Sequence, residues 1–280
     1  HLFPDVKTIL CLGWPFLLRR PDSANDGSHA WLAAYTGNED YHQQIMDPME
    51  KLISYIKKQT DGKIHAKGFT DSAPILEREM AVRAGLGWIG KNSCLLSPIH
   101  GSSFLLAEIF LDLVIEPDAQ FEHEHCGNCR RCIEACPTRC IQADRTIDSS
   151  RCIAYLTIEN KGAISPTLAE KFGPWFFGCD LCQMVCPWNH KNLSDLKISS
   201  LTKEDLLEIL RFNEDDFSTR FKHSALSRAK LFGLQRNALI WLGNHPESFD
   251  PVLIQKFITK TSNPILIETG TWTLEKGRLR

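Results

Sequence analysis

The sequence predicts an α+β protein in three parts, and three observations lead to that fold class. Strand-like and helix-like segments alternate over the first 120 residues, nine of the 11 cysteines fall within residues 126–186, and residues from about 202 onward have helical periodicity. Such patterns favour a layered α/β domain, a metal-binding segment and a helical repeat. We therefore expect an α/β-layered domain at residues 1–120, a cysteine-rich domain at residues 121–195 and a helical region at residues 196–280 with an incomplete last repeat.

In the first part, apolar runs predict strands and one amphipathic segment predicts a helix. Asp47 and Pro48 supply an acidic cap and a proline at the first helical position. The apolar side chains that follow have the spacing of one helical face: Met49, Leu52, Ile53 and Ile56. The other predicted elements are strands at residues 6–12, 63–69, 94–97 and 103–111 and a helix at residues 74–84.

In the last part, periodicity predicts helices at residues 203–211, 225–242, 251–260 and 264–276. The pairs Asp250–Pro251 and Asn263–Pro264 are typical helix starts. Two helix pairs are few for a repeat array, so we expect this region to pack on the cysteine-rich part.

Charge excludes a polycation, because 32 basic residues face 34 acidic residues for a net charge of -2. Residues 218–237 nevertheless hold five cationic side chains and no acidic one: Arg220, Lys222, Arg228, Lys230 and Arg236. Such a stripe binds phosphates; a solvated helix face is the alternative.

The chain has no apolar run long enough to span a membrane. It begins with His1 rather than Met, so we expect an upstream segment to be missing.

The cysteine spacing is that of a bacterial ferredoxin. Residues 126–137 read Cys-x2-Cys-x2-Cys-x3-Cys-Pro, and residues 179–187 repeat a shorter version that Cys152 completes to eight ligands. In two-cluster proteins the fourth cysteine of a run binds the other cluster. We therefore assign cluster one to Cys126, Cys129, Cys132 and Cys186, and cluster two to Cys136, Cys152, Cys179 and Cys182. Zinc and disulfides are the alternatives, and Cys140 is expected to be a packed thiol rather than a ligand.

Two further motifs carry less weight. Residues 85–90 match GxGxxG, but they follow a predicted helix and precede a strand, which is the reverse of a dinucleotide-binding unit. We expect these glycines to stop the helix and to approach something flat. His42 stands in a partial DxHxxG pattern that lacks the final glycine, so we expect structural packing rather than cobalt ligation.

The remaining motifs make the chain resemble the epoxyqueuosine reductases, which catalyse the last step of queuosine synthesis in tRNA. The segments that carry the resemblance, with the eight cysteines, are residues 70–78, 83–92, 151–159, 178–180, 236–239 and 242–244. The similarity runs from about Asp5 to Lys276, and the chain starts downstream of the usual N-terminus of the family. Cys140 stands where the family commonly has a small residue.

The resemblance implies a cobalamin-binding domain related to that of reductive dehalogenases, a ferredoxin-like domain and HEAT-like helical repeats. Its cofactors are cobalamin and two [4Fe-4S] clusters. We expect cobalamin to contact Asp71, Asn92, Leu95, Leu106, Ala154 and Tyr155. Electrons from an external low-potential donor would pass through the clusters to cobalamin.

The resemblance also gives Asp71 the role of proton donor; a helix cap is the alternative. Arg78 would hold a tRNA phosphate or orient Asp71. The substrate would be the wobble position in the anticodon stem-loop, and the protein would be a cytoplasmic monomer. A reductive dehalogenase and a ferredoxin-like electron carrier are the competing functions.

Overall fold

Strands and helices alternate in the first part of the chain, as the sequence predicts. The computed structural model describes residues 2–19, 29–37, 40–191, 193–194 and 199–278. The first elements are β1 (Thr8–Pro15), β2 (Leu18–Arg19), β3 (His29–Leu32), α1 (Tyr41–Gln59), β4 (Ala66–Phe69), α2 (Glu77–Arg83), β5 (Trp88–Ile89), β6 (Leu95–Leu96) and β7 (Phe104–Leu111).

β7 is the central strand of an antiparallel sheet with the order β1-β7-β4. Because side chains alternate along a strand, Ala107, Ile109 and Leu111 all face one side. There they pack against Ile45 and Met49 of α1 and form a buried apolar layer. The opposite face of the sheet lies against α2.

The predicted start of α1 at Asp47 is wrong. The helix begins at Tyr41, where the side chain of Asp40 accepts the His42 N–H at 3.1 Å, and Pro48 lies inside it. An interior proline destabilises a helix by about 3 kcal/mol. Burial of Ile45 and Met49 on either side of Pro48 offsets this, since tertiary packing supplies most helical stability.

The predicted helix at residues 74–84 is shorter in the structure. α2 starts at Glu77, with Leu76 as a cap residue that makes no side-chain cap bond. Asp71 lies five residues before Leu76, so it does not cap this helix and the capping interpretation is wrong. Residues 70–76 instead form an irregular loop that leads from β4 to α2.

The cysteine-rich part contributes only short elements. They are α3 (Arg131–Ala135), α4 (Ile153–Ile158), α5 (Pro166–Ala169), β8 (Trp175–Phe177), α6 (Leu181–Met184) and β9 (Leu193–Ser194). β10 (Ser200–Thr202) follows, and a second sheet has the order β10-β3-β8. This sheet takes one strand from each expected part of the chain. The boundaries at residues 120 and 195 therefore stay a prediction, and the three parts share a core.

Five helices complete the described chain: α7 (Lys203–Ile209), α8 (Glu214–Phe221), α9 (Lys230–Asn244), α10 (Pro251–Lys260) and α11 (Pro264–Arg278). The predicted bounds of α10 are confirmed. The helix predicted at residues 225–242 is divided into a 3-10 turn and α9, and α8 was not predicted although Asn213 begins it with a capping box. No helix in the described ranges is long and apolar enough to cross a membrane.

α9 is the central helix of the last part. Nearly all its side chains are buried, and it packs against α7, α11 and β8. Phe176 and Phe177 of β8 join its core cluster. The helical region thus packs on the cysteine-rich part, as expected; a HEAT-like arrangement stays a prediction.

The prediction that Arg236, on α9, belongs to an exposed basic stripe is wrong. Its guanidinium is completely buried and donates to the backbone carbonyls of Leu156 at 2.6 Å, Asn160 at 2.7 Å and Gly162 at 2.9 Å. Burial lowers the pKa of Arg236 to about 10. These carbonyls lie in the last turn of α4 and just beyond it, where helical carbonyls lack intrahelical donors. Arg236 therefore fixes the end of α4 and is not available to RNA.

Replacing Arg236 should destabilise the fold. In Arg236→Met three carbonyls lose a charged donor, so we expect the free energy of unfolding to fall by roughly 3 kcal/mol or more. Arg220→Met is the matched control, because Arg220 is an exposed partner of Asp205 and Glu208 and such pairs contribute about 1 kcal/mol or less. Equal losses in denaturant unfolding of the two variants would contradict the assigned role.

Glu108 is a buried carboxyl in the middle of the first sheet. It lies opposite Cys11 of β1 and Phe69 of β4. Among the described residues, neither of its carboxyl oxygens has a hydrogen-bond partner. Burial raises its pKa to about 8, and the nearby charge of Glu77 adds to the shift. Glu108 is therefore largely protonated at neutral pH.

This shift predicts a pH-dependent stability. The unfolded chain releases the Glu108 proton near pH 4.5, whereas the folded chain keeps it up to about pH 8. Stability that is fully present below pH 4.5 is therefore lost as the pH rises from about 4.5 to 8. At pH 9 we expect the free energy of unfolding of Glu108→Gln to exceed that of the parent by roughly 2 to 4 kcal/mol. At pH 4.5 the two proteins should have similar free energies of unfolding, measured with denaturant. Glu50→Gln, at an exposed position of α1, is the control. Parallel pH profiles for all three proteins would contradict this assignment.

Candidate active site

Two adjoining cavities form a cleft beside the loop that carries Asp71. Their walls share Tyr35, Asp71 and Leu105, and their volumes are about 700 Å³ and 510 Å³. Volumes of this size are typical of ligand pockets. The first cavity has an apolar wall that includes Leu95 and Leu106.

Asp71 has a left-handed backbone conformation, with a φ of 45°. Its carboxyl Oδ2 accepts a hydrogen bond from the Tyr41 hydroxyl at 3.0 Å, and its N–H donates to Glu77 Oε1 at 2.8 Å. The Thr70 hydroxyl donates to the Leu106 carbonyl at 2.9 Å and ties the loop to β7. Non-glycine residues keep such strained conformations only where their surroundings hold them, and such residues cluster at functional sites.

The two residues that hold Asp71 both have raised pKa values. Burial raises the pKa of Tyr41 well above its usual range, and the charge of Asp71 raises it further, so the hydroxyl remains a donor. Burial also raises the pKa of Glu77, although the Asp71 N–H that it accepts opposes this shift. Neither residue was predicted: thirty residues separate Tyr41 from Asp71, and Glu77 lies in the motif at residues 70–78 but was given no role.

Five of the six predicted cofactor contacts line the cleft. Leu95 and Leu106 line the first cavity, Ala154 and Tyr155 line the second, and Asp71 lines both. These residues come from separate elements, so only the folded chain brings them together.

The sixth, Asn92, is buried outside both cavity linings. Its Oδ1 accepts the Cys94 N–H at 3.3 Å, while its Nδ2 has no partner among the described residues. The expectation that the glycine-rich segment at residues 85–90 approaches a flat ligand stays a prediction, as does the Asn92 contact, and Ile89 of this segment lines the first cavity. A Cβ at Gly85 would lie 2.6 Å from the Ala119 carbonyl oxygen, and one at Gly87 would collide with that of Leu96. These glycines permit close contact within the chain.

The predicted cationic contacts have different surroundings. Arg78 lines the first cavity and donates to the Ser93 carbonyl; Arg228 and Lys230 line the second. Arg228 also pairs with Glu159 at 2.8 Å, which raises the pKa of Arg228. Arg220 lines neither cavity and pairs with two carboxylates of α7, and Lys222 lies at the end of α8, also outside both linings.

The cysteines fall into two electrostatic neighbourhoods. The charges of Cys126 and Cys129 raise the pKa of both Cys132 and Cys186. The charge of Cys152 raises the pKa of both Cys179 and Cys182, and the charge of Cys136 also raises that of Cys179. The crossed ligand assignment stays a prediction, and this arrangement supports it.

The thiols are suited to a polynuclear centre. Burial raises the pKa of Cys186 to about 11, and neighbouring cysteines add to the shift, so this sulfur resists ionisation unless a cation neutralises the thiolate. Within the described residues, no three His, Cys, Asp or Glu side chains converge on a point for one ion. A [4Fe-4S] cluster does not require such convergence, because it binds each cysteine through a different iron atom.

Two cysteines outside the predicted ligand set touch it. Cys140 is buried with its Sγ 3.4 Å from Cys136 Sγ, and it lies near Cys152, whose pKa it lowers to about 6. The pKa of Cys136 is lowered to about 4, chiefly by Cys140 and further by Thr138. Cys94 lies near Cys182, whose pKa it raises, and it lines the first cavity. The packing predicted for Cys140 is confirmed; the contact of Cys94 was missed because it joins residues far apart in sequence.

Comparisons with known proteins give the same family over most of the chain. Residues 1–72 match the family model described as "Epoxyqueuosine reductase QueG, DUF1730", and residues 125–189 match "4Fe-4S double cluster binding domain". An epoxyqueuosine reductase of Cyclobacterium marinum is 45% identical over 211 residues, which cover 74% of this chain and 67% of that protein. That of Xanthomonas campestris is 37% identical over all of this chain and 81% of its own length.

Solved structures agree. Epoxyqueuosine reductase from Streptococcus thermophilus superposes with a TM-score of 0.86 at 31% identity, covering all of this chain and 75% of that one. An epoxyqueuosine reductase bound to an epoxyqueuosine-modified tRNA stem loop has a TM-score of 0.85 at 26% identity, covering 98% and 74%. The Bacillus subtilis enzyme, with its catalytic aspartate loop swung out of the active site, has a TM-score of 0.84 at 25% identity, covering 98% and 74%. The chain therefore belongs to the epoxyqueuosine reductase family.

Proposed function

We propose that this chain reduces epoxyqueuosine to queuosine at the wobble position of tRNA. Two [4Fe-4S] clusters would supply the electrons and cobalamin in the cleft would supply the low-potential reducing chemistry, while Asp71 donates a proton to the epoxide oxygen. The observation that carries this proposal is the position of Asp71: it is held in a strained conformation in the wall shared by two cavities.

The cleft fits a large cofactor that has apolar faces and polar edges, because its lining mixes apolar side chains with polar ones such as Ser93, Ser102 and Gln183. Leu95, Leu105 and Leu106 give it an apolar wall, while Ala154 and Tyr155 bound its second cavity. Cobalamin would supply low-potential reducing chemistry at this site. The chain itself would hold the cofactor through these walls and keep Asp71 beside it.

Asp71 serves as the general acid in this proposal. Removal of the epoxide oxygen as water, which leaves an alkene, consumes two electrons and two protons. The oxygen leaves poorly as an alkoxide, so a proton delivered as the C–O bond breaks lowers the barrier. Tyr41 and Glu77 fix the carboxyl and backbone of Asp71 at the cleft, and solvent supplies the second proton.

The proposed cluster two lies on the cleft side of the cysteine-rich part. Ala154 and Tyr155 follow its ligand Cys152 and line the second cavity, and Gln183, next to its ligand Cys182, lines the first. Electrons from an external donor would therefore enter at cluster one and leave through cluster two.

The tRNA would approach over the second cavity. Arg228 and Lys230 lie in its lining and give it a basic edge, which suits a phosphate backbone around an unstacked base. Lys222 and Arg220 would extend this surface. The competing functions, a reductive dehalogenase or an electron carrier, lose support because the full-length relatives are epoxyqueuosine reductases.

Asp71→Asn should abolish most turnover while leaving the cofactors bound. Loss of a general acid lowers rates by roughly 10²- to 10⁴-fold. The measurements are queuosine formed in tRNA under single-turnover conditions, with iron and corrinoid content for each protein. Asp61→Asn is a matched control, since Asp61 also has a left-handed φ, of 52°, in an exposed turn. Undiminished turnover in Asp71→Asn would end the assignment of Asp71.

Reversing charge at Arg228 and Lys230 should weaken tRNA binding. We expect Arg228→Glu with Lys230→Glu to bind the stem-loop at least about tenfold more weakly and with a smaller salt dependence, because fewer counterions are released. Lys256→Glu with Lys260→Glu is the control, since both lysines lie on α10 outside the cleft linings. Equal affinities and salt slopes for the two double variants would remove this patch from the proposal.

A further inference from the structure

Three side-chain donors surround the ligands of cluster two. Cys140 Sγ and Thr138 Oγ1 each lie 3.4 Å from Cys136 Sγ. Cys140 also lies beside Cys152, and Cys94, in the lining of the first cavity, lies beside Cys182. One predicted ligand of cluster two, Cys136, is therefore in direct contact with a thiol that is not itself a predicted ligand, and Cys152 and Cys182 each have such a thiol nearby.

Coordination decides the direction of these hydrogen bonds. A cysteine bound to iron has lost its proton, so its sulfur can only accept. In a hydrogen bond to a ligand, Cys140 or Cys94 must then be the donor, and the single S–H of each thiol donates to one ligand sulfur at a time. The Cys140 N–H also donates to Cys136 Sγ, at 3.4 Å, so this segment is directed at the ligand by backbone as well as side chain.

The surroundings of cluster one differ. The hydrogen bonds that reach its ligands Cys132 and Cys186 come from the backbone N–H groups of Ile133 and Trp188, among others. Hydrogen bonds to cluster sulfurs are one of the means by which a protein sets reduction potential. A donor draws electron density from the sulfur and stabilises the reduced cluster, which carries more negative charge, so the potential rises.

We infer that Cys140 and Cys94 act as tuning residues, donating S–H hydrogen bonds that raise the reduction potential of cluster two relative to cluster one. An electron that enters the protein then rests on the cluster beside the cleft, where Cys94 itself lines the first cavity. This inference rests on the two-cluster site of the proposed function and not on the identity of the substrate.

The test compares Cys140→Ala, Cys94→Ala, their double variant and Cys140→Ser, all prepared without oxygen. Cys11→Ala is the matched control, because Cys11 lies in β1 opposite Glu108 and contacts no predicted ligand in the described chain. The measurements are iron per chain and the potential of each cluster by EPR-monitored redox titration, without cobalamin or tRNA.

We expect every variant to keep the iron content of the parent. Each alanine variant should shift the same cluster to lower potential, and the double variant should shift it further, because the two thiols reach different ligands. Cys140→Ser keeps an O–H donor and should shift less than Cys140→Ala. Cys11→Ala should leave both potentials unchanged.

Unchanged potentials in both alanine variants would overturn the inference, as would equal shifts of both clusters. Loss of about half the iron from both Cys140→Ala and Cys140→Ser would make Cys140 a ligand and would also overturn it. Turnover on epoxyqueuosine tRNA is measured separately. A normal shift without turnover would count against the proposed function alone, and normal turnover without a shift would count against the tuning role alone.

Discussion

The packing of two distant cysteine runs against each other is the constraint on which the site depends. In the predicted crossed arrangement, the run at residues 126–136 and the run at residues 179–186 would each give ligands to both clusters, and α3 lies against α6. Burial and repulsion between neighbouring thiolates raise the pKa of Cys132, Cys179 and Cys186, so these thiols resist ionisation without a bound cation. Metal binding and folding of this segment are therefore coupled.

This constraint reaches the cleft through one short helix. Cys152 is the cap residue at the start of α4, and Ala154 and Tyr155 in its first turn line the second cavity. At the other end, the guanidinium of Arg236 binds the carbonyls of Leu156, Asn160 and Gly162. α4 is thus held by the proposed cluster at one end and by a buried arginine at the other, which keeps this wall of the cleft in place.

The opposite wall is less firmly built. Asp71 is strained, lies on an irregular loop and depends on two hydrogen bonds, from Tyr41 and to Glu77. Glu108, in the sheet nearby, is buried without a hydrogen-bond partner among the described residues. Active-site loops are commonly drawn from such weakly stabilised regions. The catalytic aspartate loop of the Bacillus subtilis enzyme has been seen swung out of its active site.

The sequence alone determined the features that depend on local spacing: the ferredoxin-like cysteine runs, the strands of the first sheet and the bounds of α10, where Asp250 caps the Leu253 N–H. It also placed Asp71 in a family motif. Only tertiary structure decided that α1 continues through Pro48, that Arg236 is buried, and that Tyr41 and Cys94 lie at the site. Those features depend on contacts between residues far apart in the chain, and burial from such contacts outweighs local preferences of helix start, charge or side-chain type.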